Sequence, residues 1–224
     1  MQTERLIRDL ASAARPVRPL TRPWTRAAVW TALAAPWIAA IVVVMSVRPD
    51  LSAKLADPRF VVEQAATLAT GITAAAAAFA TTIPGYRRSI VLLPALPLAI
   101  WLGSLGQSCL ATLVVLGPHG LALRPGWLCL PAIALTGALP ALAMMVMLRR
   151  GAPLFPHLSV GLGALAAAGL GNFGLRLFHP QDSSLMVLVW QFGSVFLLTA
   201  LATCAGRHVL SWPSQPPAYA DRNE

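Results

Sequence analysis

Long apolar stretches dominate the hydrophobic pattern of this chain. Each is close to the roughly 20 residues that an α-helix needs to cross a bilayer core, and they lie at about 27–47, 60–83, 89–109, 128–148, 157–177 and 184–206. The third is interrupted by Pro94 and Pro97, which membrane helices tolerate when neighbouring groups satisfy the freed carbonyls. The fifth is rich in glycine, which allows neighbouring helices to approach closely. The pattern predicts an all-α polytopic membrane protein with six transmembrane helices.

A different pattern precedes the first apolar stretch. Over residues 3–14, Leu6, Ile7 and Leu10 recur at helical spacing among polar side chains, which predicts a short amphipathic helix. Pro16 ends the pattern and begins a connector rich in proline and arginine. A helix of about twelve residues is marginal in water by itself. We therefore expect it to bind another surface, and helix-in-groove docking to a protein explains its apolar face better than lipid attraction.

The charges indicate which way the chain crosses the membrane. Only 11% of the 224 residues are charged and 57% are hydrophobic, whereas a soluble domain is usually about 25% charged. Twelve of the seventeen Lys and Arg lie before the first span, in alternate turns and in the tail, and five lie on the opposite side. The positive-inside rule then places both termini in the cytoplasm. Topology also explains the net charge of +9, so nucleic acid is not an expected partner.

These observations divide the chain into three parts. Residues 1–26 form a cytoplasmic amphipathic helix with its linker, residues 27–206 form the membrane domain, and residues 207–224 form a cytoplasmic tail.

Two cysteines flank the predicted outer loop between the third and fourth spans. Cys109 ends one span and Cys129 begins the next, and a short loop would make these spans antiparallel neighbours. A disulfide needs Cα atoms within about 7 Å, and thiolates also bind soft metals. The pair is therefore a candidate thiol switch or metal sensor, with a static disulfide or two unpaired thiols as alternatives. Cys204, near the inner end of the last span, is expected to be an unpaired packing residue.

Few polar residues fall inside the predicted spans. Glu63 and Arg176 are each expected at the membrane interface, where charged side chains extend to the headgroups. Asn172 and Gln191 fall at similar depths and are expected to hydrogen-bond each other. No motif for an enzyme, a cofactor or a metal cluster is evident. A small transporter or channel, possibly for metal ions, stays the alternative function, although the spans lack the buried charges expected of an ion path.

Five segments of the chain together resemble the NrsF-like bacterial anti-sigma factors. They are TERLIRDLASAARPVRPL, RPDL…DPRF, SLGQSC…GWLCL, RRGAPL at 149–154 and LRLFHPQDSSLMVLVW. Each is weak singly, but their order is specific, and together they extend over nearly the whole chain. Gln191 departs from the histidine expected in many members.

The resemblance implies a six-span inner-membrane regulator that holds an extracytoplasmic-function sigma factor inactive. By this resemblance, the N-terminal segment is the sigma contact, which falls here on Leu6, Ile7 and Leu10. The response to heavy metals or oxidants falls on Cys109 and Cys129. No cofactor is implied.

Overall fold

The computed structural model describes residues 2–13, 20–116, 129–151, 155–179 and 193–209. Within these ranges the regular structure is helical and contains no strand, which confirms the all-α prediction. The helices are α1 Gln2–Ala13, α2 Pro23–Val44, α3 Leu51–Leu55, α4 Pro58–Ala80, α5 Ala95–Leu116, α6 Cys129–Arg149, α7 Pro156–Phe178 and α8 Gly193–Val209, with a 3-10 helix at Arg88–Leu92.

Five segments of the described ranges are long and apolar enough to cross a membrane. They are Pro23–Val44, Pro58–Ala80, Arg88–Gln107, Pro131–Arg149 and Pro156–Phe178, and they correspond to the first five predicted spans. The predicted span 184–206 begins outside the described residues, and its described part is the shorter apolar helix Gly193–Ala205. The sixth span and the cytoplasmic position of both termini therefore stay predictions.

Proline and aspartate mark where several helices begin. Pro23, Pro58 and Pro156 are each the first residue of a helix. Proline is favoured there because the N–H that it lacks would not form a hydrogen bond within the helix. Asp57 caps α4 by accepting a hydrogen bond from the backbone N–H of Arg59 at 3.0 Å. Asp57 thus satisfies one of the unpaired N–H groups at the start of α4.

The predicted third span, 89–109, corresponds to the candidate span Arg88–Gln107, but its regular α-helix has other bounds. The regular helix α5 begins at Ala95 and continues to Leu116. Pro94 precedes it and Pro97 lies in its first turn, where proline is tolerated because the first N–H groups of a helix are unpaired anyway. Cys109 therefore lies about 10 Å before the end of its helix, at 1.5 Å per residue, rather than at the end.

Helix α7 lies at the centre of the bundle and packs against α2, α4, α6 and α8. Its backbone comes very close to its neighbours through small residues. A Cβ added to Gly71 would lie 3.3 Å from the carbonyl oxygen of Ala166, and one added to Gly171 would lie 3.0 Å from that of Ile133. These distances confirm that glycine serves close helix packing here.

Candidate functional site

The N-terminal helix exposes a continuous apolar face. Helix α1 extends over Gln2–Ala13, within one residue of the prediction. Leu6, Ile7 and Leu10 are 58%, 60% and 64% exposed, and α1 packs extensively against no other described element. This apolar face of α1 (Leu6, Ile7 and Leu10) is therefore available to a partner.

The polar side of α1 is occupied by its own local hydrogen bonds. The Arg8 side chain donates to the carbonyl oxygen of Glu4 at 3.5 Å, and the Ser12 hydroxyl donates to that of Asp9 at 2.9 Å. The two sides of the helix thus differ in what they offer to a partner.

A buried arginine anchors the point where the N-terminal segment leaves the bundle. Arg26, in the first turn of α2, is 6% exposed. Its guanidinium donates to the Thr82 hydroxyl at 2.9 Å and to the Met147 carbonyl, and it lies 4.4 Å from the centre of the Phe79 ring. Sequence reasoning counted Arg26 only as a topology charge, whereas the fold makes it a link between α2, α4 and α6.

The backbone places both candidate sensing cysteines near one apolar cluster. Cys109 follows Leu105 by one helical turn in α5, and Cys129 precedes Ile133 by one turn in α6. Leu105 and Ile133 are buried in the same cluster as Trp101. The loop 117–128 and the side chains of the two cysteines lie outside the described residues, so their pairing stays a prediction.

Over the described residues, the more extensive packing of these two helices is with other helices, and their side-by-side packing stays a prediction. Helix α5 packs against α4, whereas α6 packs against α7 and α2. The shared apolar cluster, to which α7 contributes Leu175 and α8 contributes Val195, connects them instead.

Cys204 is free, as expected, but it is exposed in α8 rather than packed in the core. Among the described side chains, no group of three or more His, Cys, Asp and Glu residues is arranged to hold a metal ion.

A buried ion pair occupies the end of the bundle opposite Arg26. A Glu63 carboxylate oxygen in α4 lies 2.9 Å from Nη1 of Arg176 in α7, and the two side chains are 9% and 6% exposed. The Arg176 guanidinium also lies 5.0 Å from the centre of the Phe60 ring. The two charges are therefore buried against protein and paired with each other, while their depth in the membrane stays a prediction. Opposite charges near the same end of two antiparallel spans were the signal in the sequence.

A second ion pair extends this polar region to the surface. Nε of Arg48 lies 2.7 Å from Asp50 Oδ1, with the Arg48 side chain fully buried and that of Asp50 45% exposed. The hydrogen bond from Arg48 lowers the pKa of the Asp50 carboxyl. Arg48 also lies 5.8 Å from the Phe60 ring, and its backbone N–H donates to the Leu177 carbonyl. Asp50 is thus paired with a cation in the segment between α2 and α3.

Asn172 is fully buried in α7, and neither polar atom of its amide has a hydrogen-bond partner among the described residues. Its predicted partner, Gln191, lies outside those residues, so that hydrogen bond stays a prediction.

Comparison with known proteins identifies the family. The model of the NrsF family, described as negative regulator of sigma F, matches residues 10–212. Searches of curated proteins and of solved structures gave no match. The matched region contains the described membrane helices, Leu10 and both candidate sensing cysteines, and it begins after Leu6 and Ile7. The chain therefore belongs to the NrsF family of negative regulators of a sigma factor.

Proposed function

We propose that this protein is a membrane anti-sigma factor that holds an extracytoplasmic-function sigma factor through α1. Release follows when Cys109 and Cys129 respond to oxidants or soft metals on the periplasmic side of the inner membrane. The observation that carries the proposed contact is the uncovered apolar face of α1.

The size and chemistry of this face suit reversible binding. Amphipathic helices bind protein grooves through apolar side chains at such spacings. Burying Leu6, Ile7 and Leu10, each more than half exposed, contributes on the order of 5 kcal/mol before the cost of ordering the helix. A contribution of this size is compatible with a reversible contact.

The position of the segment supports a cytoplasmic partner. The excess of arginine before α2 predicts that this side faces the cytoplasm, where sigma factors act. Arg26 links the start of α2 to Thr82, just after α4, and to α6, and α1 precedes this anchored position in the chain.

The proposed signal travels from the thiols through the apolar cluster to α7. A new bond at Cys109 or Cys129 acts one turn from Leu105 and Ile133, which share their cluster with Leu175 of α7. Helix α7 packs against α2, and α2 carries the N-terminal segment. A shift of α7 thereby moves the base of the sigma contact.

The contact is tested by capturing cytoplasmic proteins with the full-length chain. The variant Leu6→Asp/Leu10→Asp is compared with Arg8→Gln/Ser12→Asp, which lowers the net charge equally on the polar side of α1. We expect the wild type and the control to retain a sigma factor, identified by mass spectrometry, and the apolar-face variant to lose it at least tenfold. Retention by that variant moves the contact elsewhere. Capture of no sigma factor refutes the anti-sigma mechanism for this chain.

The sensing step is tested by transcription from a promoter that depends on the captured sigma factor. Cys109→Ser and Cys129→Ser are expected to abolish induction by an oxidant or a soft metal while basal repression stays intact. Cys204→Ser serves as the control, because Cys204 is a free, exposed thiol in α8. Normal induction in the double variant removes the sensing role and leaves the anti-sigma role standing.

The buried pair of Glu63 and Arg176 is an observation in favour of the alternative, a small transporter or channel. Ionisable residues inside membrane spans often mark ion paths. Here the two charges neutralise each other at 2.9 Å, which a structural role explains. Metal uptake into vesicles containing the purified protein, abolished by Glu63→Gln, would support transport.

A further inference from the structure

A cavity of about 600 Å³ opens at the end of the bundle that carries Arg26. It lies between the end of α4, the loop that leads to α5 and the start of α7. Most of its wall is apolar and includes Ile90, Val91, Leu92, Phe155 and Leu158. Leu92 and Phe155 are 69% and 54% exposed, so the apolar wall continues onto the outer surface of the bundle.

Two adjacent arginines lie at this cavity. Tyr86, Arg87 and Arg88 line it and are exposed. They follow Gly85, whose φ of 81° is in the left-handed region that favours glycine. Glycine thus permits the turn that directly precedes the two cations.

The arginines of this cavity differ from the buried arginines of the bundle. Among the described residues, the guanidinium groups of Arg87 and Arg88 have no hydrogen bond or ion pair. Arg26, Arg48 and Arg176 each have protein partners. Arg87 and Arg88 are therefore available to an anionic ligand at the mouth of an apolar cavity.

We propose that this cavity binds an anionic phospholipid of the inner leaflet. Guanidinium groups bind phosphate oxygens with charge-assisted hydrogen bonds, and tyrosine is favoured at the headgroup level. Basic pockets between membrane helices on the cytoplasmic side are suited to phospholipid headgroups. Arg87 and Arg88 hold the phosphate, while an acyl chain lies along Leu92, Phe155 and Leu158.

The proposed lipid site adjoins the anchor of the N-terminal segment. Thr81 lines the cavity, and the next residue, Thr82, accepts the hydrogen bond from Arg26. The lipid site is nevertheless independent of sigma-factor binding, because it is defined by the membrane domain alone.

The test measures lipid binding to the purified, delipidated full-length protein by native mass spectrometry. Phosphatidylglycerol is compared with phosphatidylcholine, and inorganic phosphate is added as a soluble competitor. Arg87→Gln/Arg88→Gln is compared with Arg149→Gln/Arg150→Gln, another adjacent pair on the same predicted side that is exposed and lies outside the cavity lining. Unfolding of both variants is measured without lipid beside that of the wild type, so that a loss of lipid binding is distinguished from a loss of folding.

We expect the wild type to prefer phosphatidylglycerol about thirtyfold, the size expected of two cations that each contribute about 1 kcal/mol at an anionic phosphate. The cavity variant is expected to lose this preference, and the control to keep it within about twofold. Equal loss in both variants overturns the proposal in favour of diffuse attraction. Equal binding of phosphatidylcholine, or full displacement of phosphatidylglycerol by inorganic phosphate, also overturns it.

A photoreactive residue in place of Leu92 identifies the occupant directly. Crosslinking in native membranes to phospholipid supports the proposal. Crosslinking to α1, to a second copy of the chain or to another protein instead of lipid assigns the cavity to a protein segment and refutes the lipid site.

Discussion

The substitution Glu63→Gln tests what holds α4 against the central helix. Glutamine keeps the size of the side chain but removes the negative charge that lies 2.9 Å from Arg176 Nη1. Both side chains are less than a tenth exposed, so water cannot replace the lost carboxylate. The buried guanidinium of Arg176 then loses the carboxylate that neutralises its charge.

The expected loss of unfolding free energy is about 3 kcal/mol. Removing one partner of a buried ion pair typically costs about 3–5 kcal/mol. We expect the lower end, because the amide oxygen of glutamine still accepts a hydrogen bond and Arg176 keeps its contact with the Phe60 ring, 5.0 Å away. Replacing both partners, as in Glu63→Leu/Arg176→Met, leaves no charge buried and is expected to stay within about 1 kcal/mol of the wild type.

The assay is reversible unfolding in mixed detergent micelles. Glu63→Leu, Arg176→Met and the double variant are analysed as a double-mutant cycle, and Glu63→Gln is measured in the same assay. Asp57→Asn is the control, since it makes the same carboxylate-to-amide change at the exposed start of α4, where asparagine also caps a helix. It is expected to change stability by less than about 0.5 kcal/mol. Wild-type stability in Glu63→Gln, or a double variant that loses the sum of both singles, would refute the reasoning.

Three further predictions use the same protein preparation. Gly171→Val is expected to lower the unfolding free energy by about 1–3 kcal/mol, because the new Cβ would lie 3.0 Å from the carbonyl oxygen of Ile133 in α6. Unchanged stability would contradict this close packing. Trp30→Phe removes the 2.9 Å hydrogen bond from Nε1 to the Pro140 carbonyl and is expected to cost about 1–2 kcal/mol in the same assay, whereas a neutral effect would count against that bond. The hydrogen bond from Arg48 lowers the pKa of the Asp50 carboxyl in the folded state. The ionised Asp50 therefore contributes its full stabilisation above the pKa of aspartate in the unfolded chain, about 3.9. This stabilisation is lost as the pH falls through the lowered pKa of the folded state. Asp50→Asn should therefore unfold with less dependence on acid pH, and identical acid profiles would exclude this contribution.

Much of the fold was predictable because its signals are local. A run of about 20 apolar residues indicates a membrane helix whatever its neighbours are, and the spacing of Leu6, Ile7 and Leu10 indicates an amphipathic helix by itself. The cap at Asp57 is equally local, since it joins residues two positions apart. The family resemblance arose in the same way, from short segments in a particular order.

The bounds of the regular helix in the third span were not predictable in this way. A continuous stretch of apolar residues does not reveal where within it the regular helix begins. The sequence pattern alone suggests that Pro94 and Pro97 interrupt the helix of the third span. The structure places Pro94 before α5 and Pro97 in its first turn. The helix ends at Leu116, seven residues after Cys109. The Cys109 thiol is therefore on the body of the helix and not at its end.

The sequence by itself determined the helical class, five candidate membrane-spanning stretches and the amphipathic N-terminal helix, since each depends on residues close together in the chain. Only the tertiary structure decided which charges are buried. In the linear sequence, Glu63 and Arg176 each have the position of a charge at the membrane interface. Arg26 has the position of one more basic residue that follows the positive-inside rule. Their burial depends on which helix lies alongside and which partner atom that helix supplies. That information is not local, because it arises only when segments more than fifty residues apart pack together.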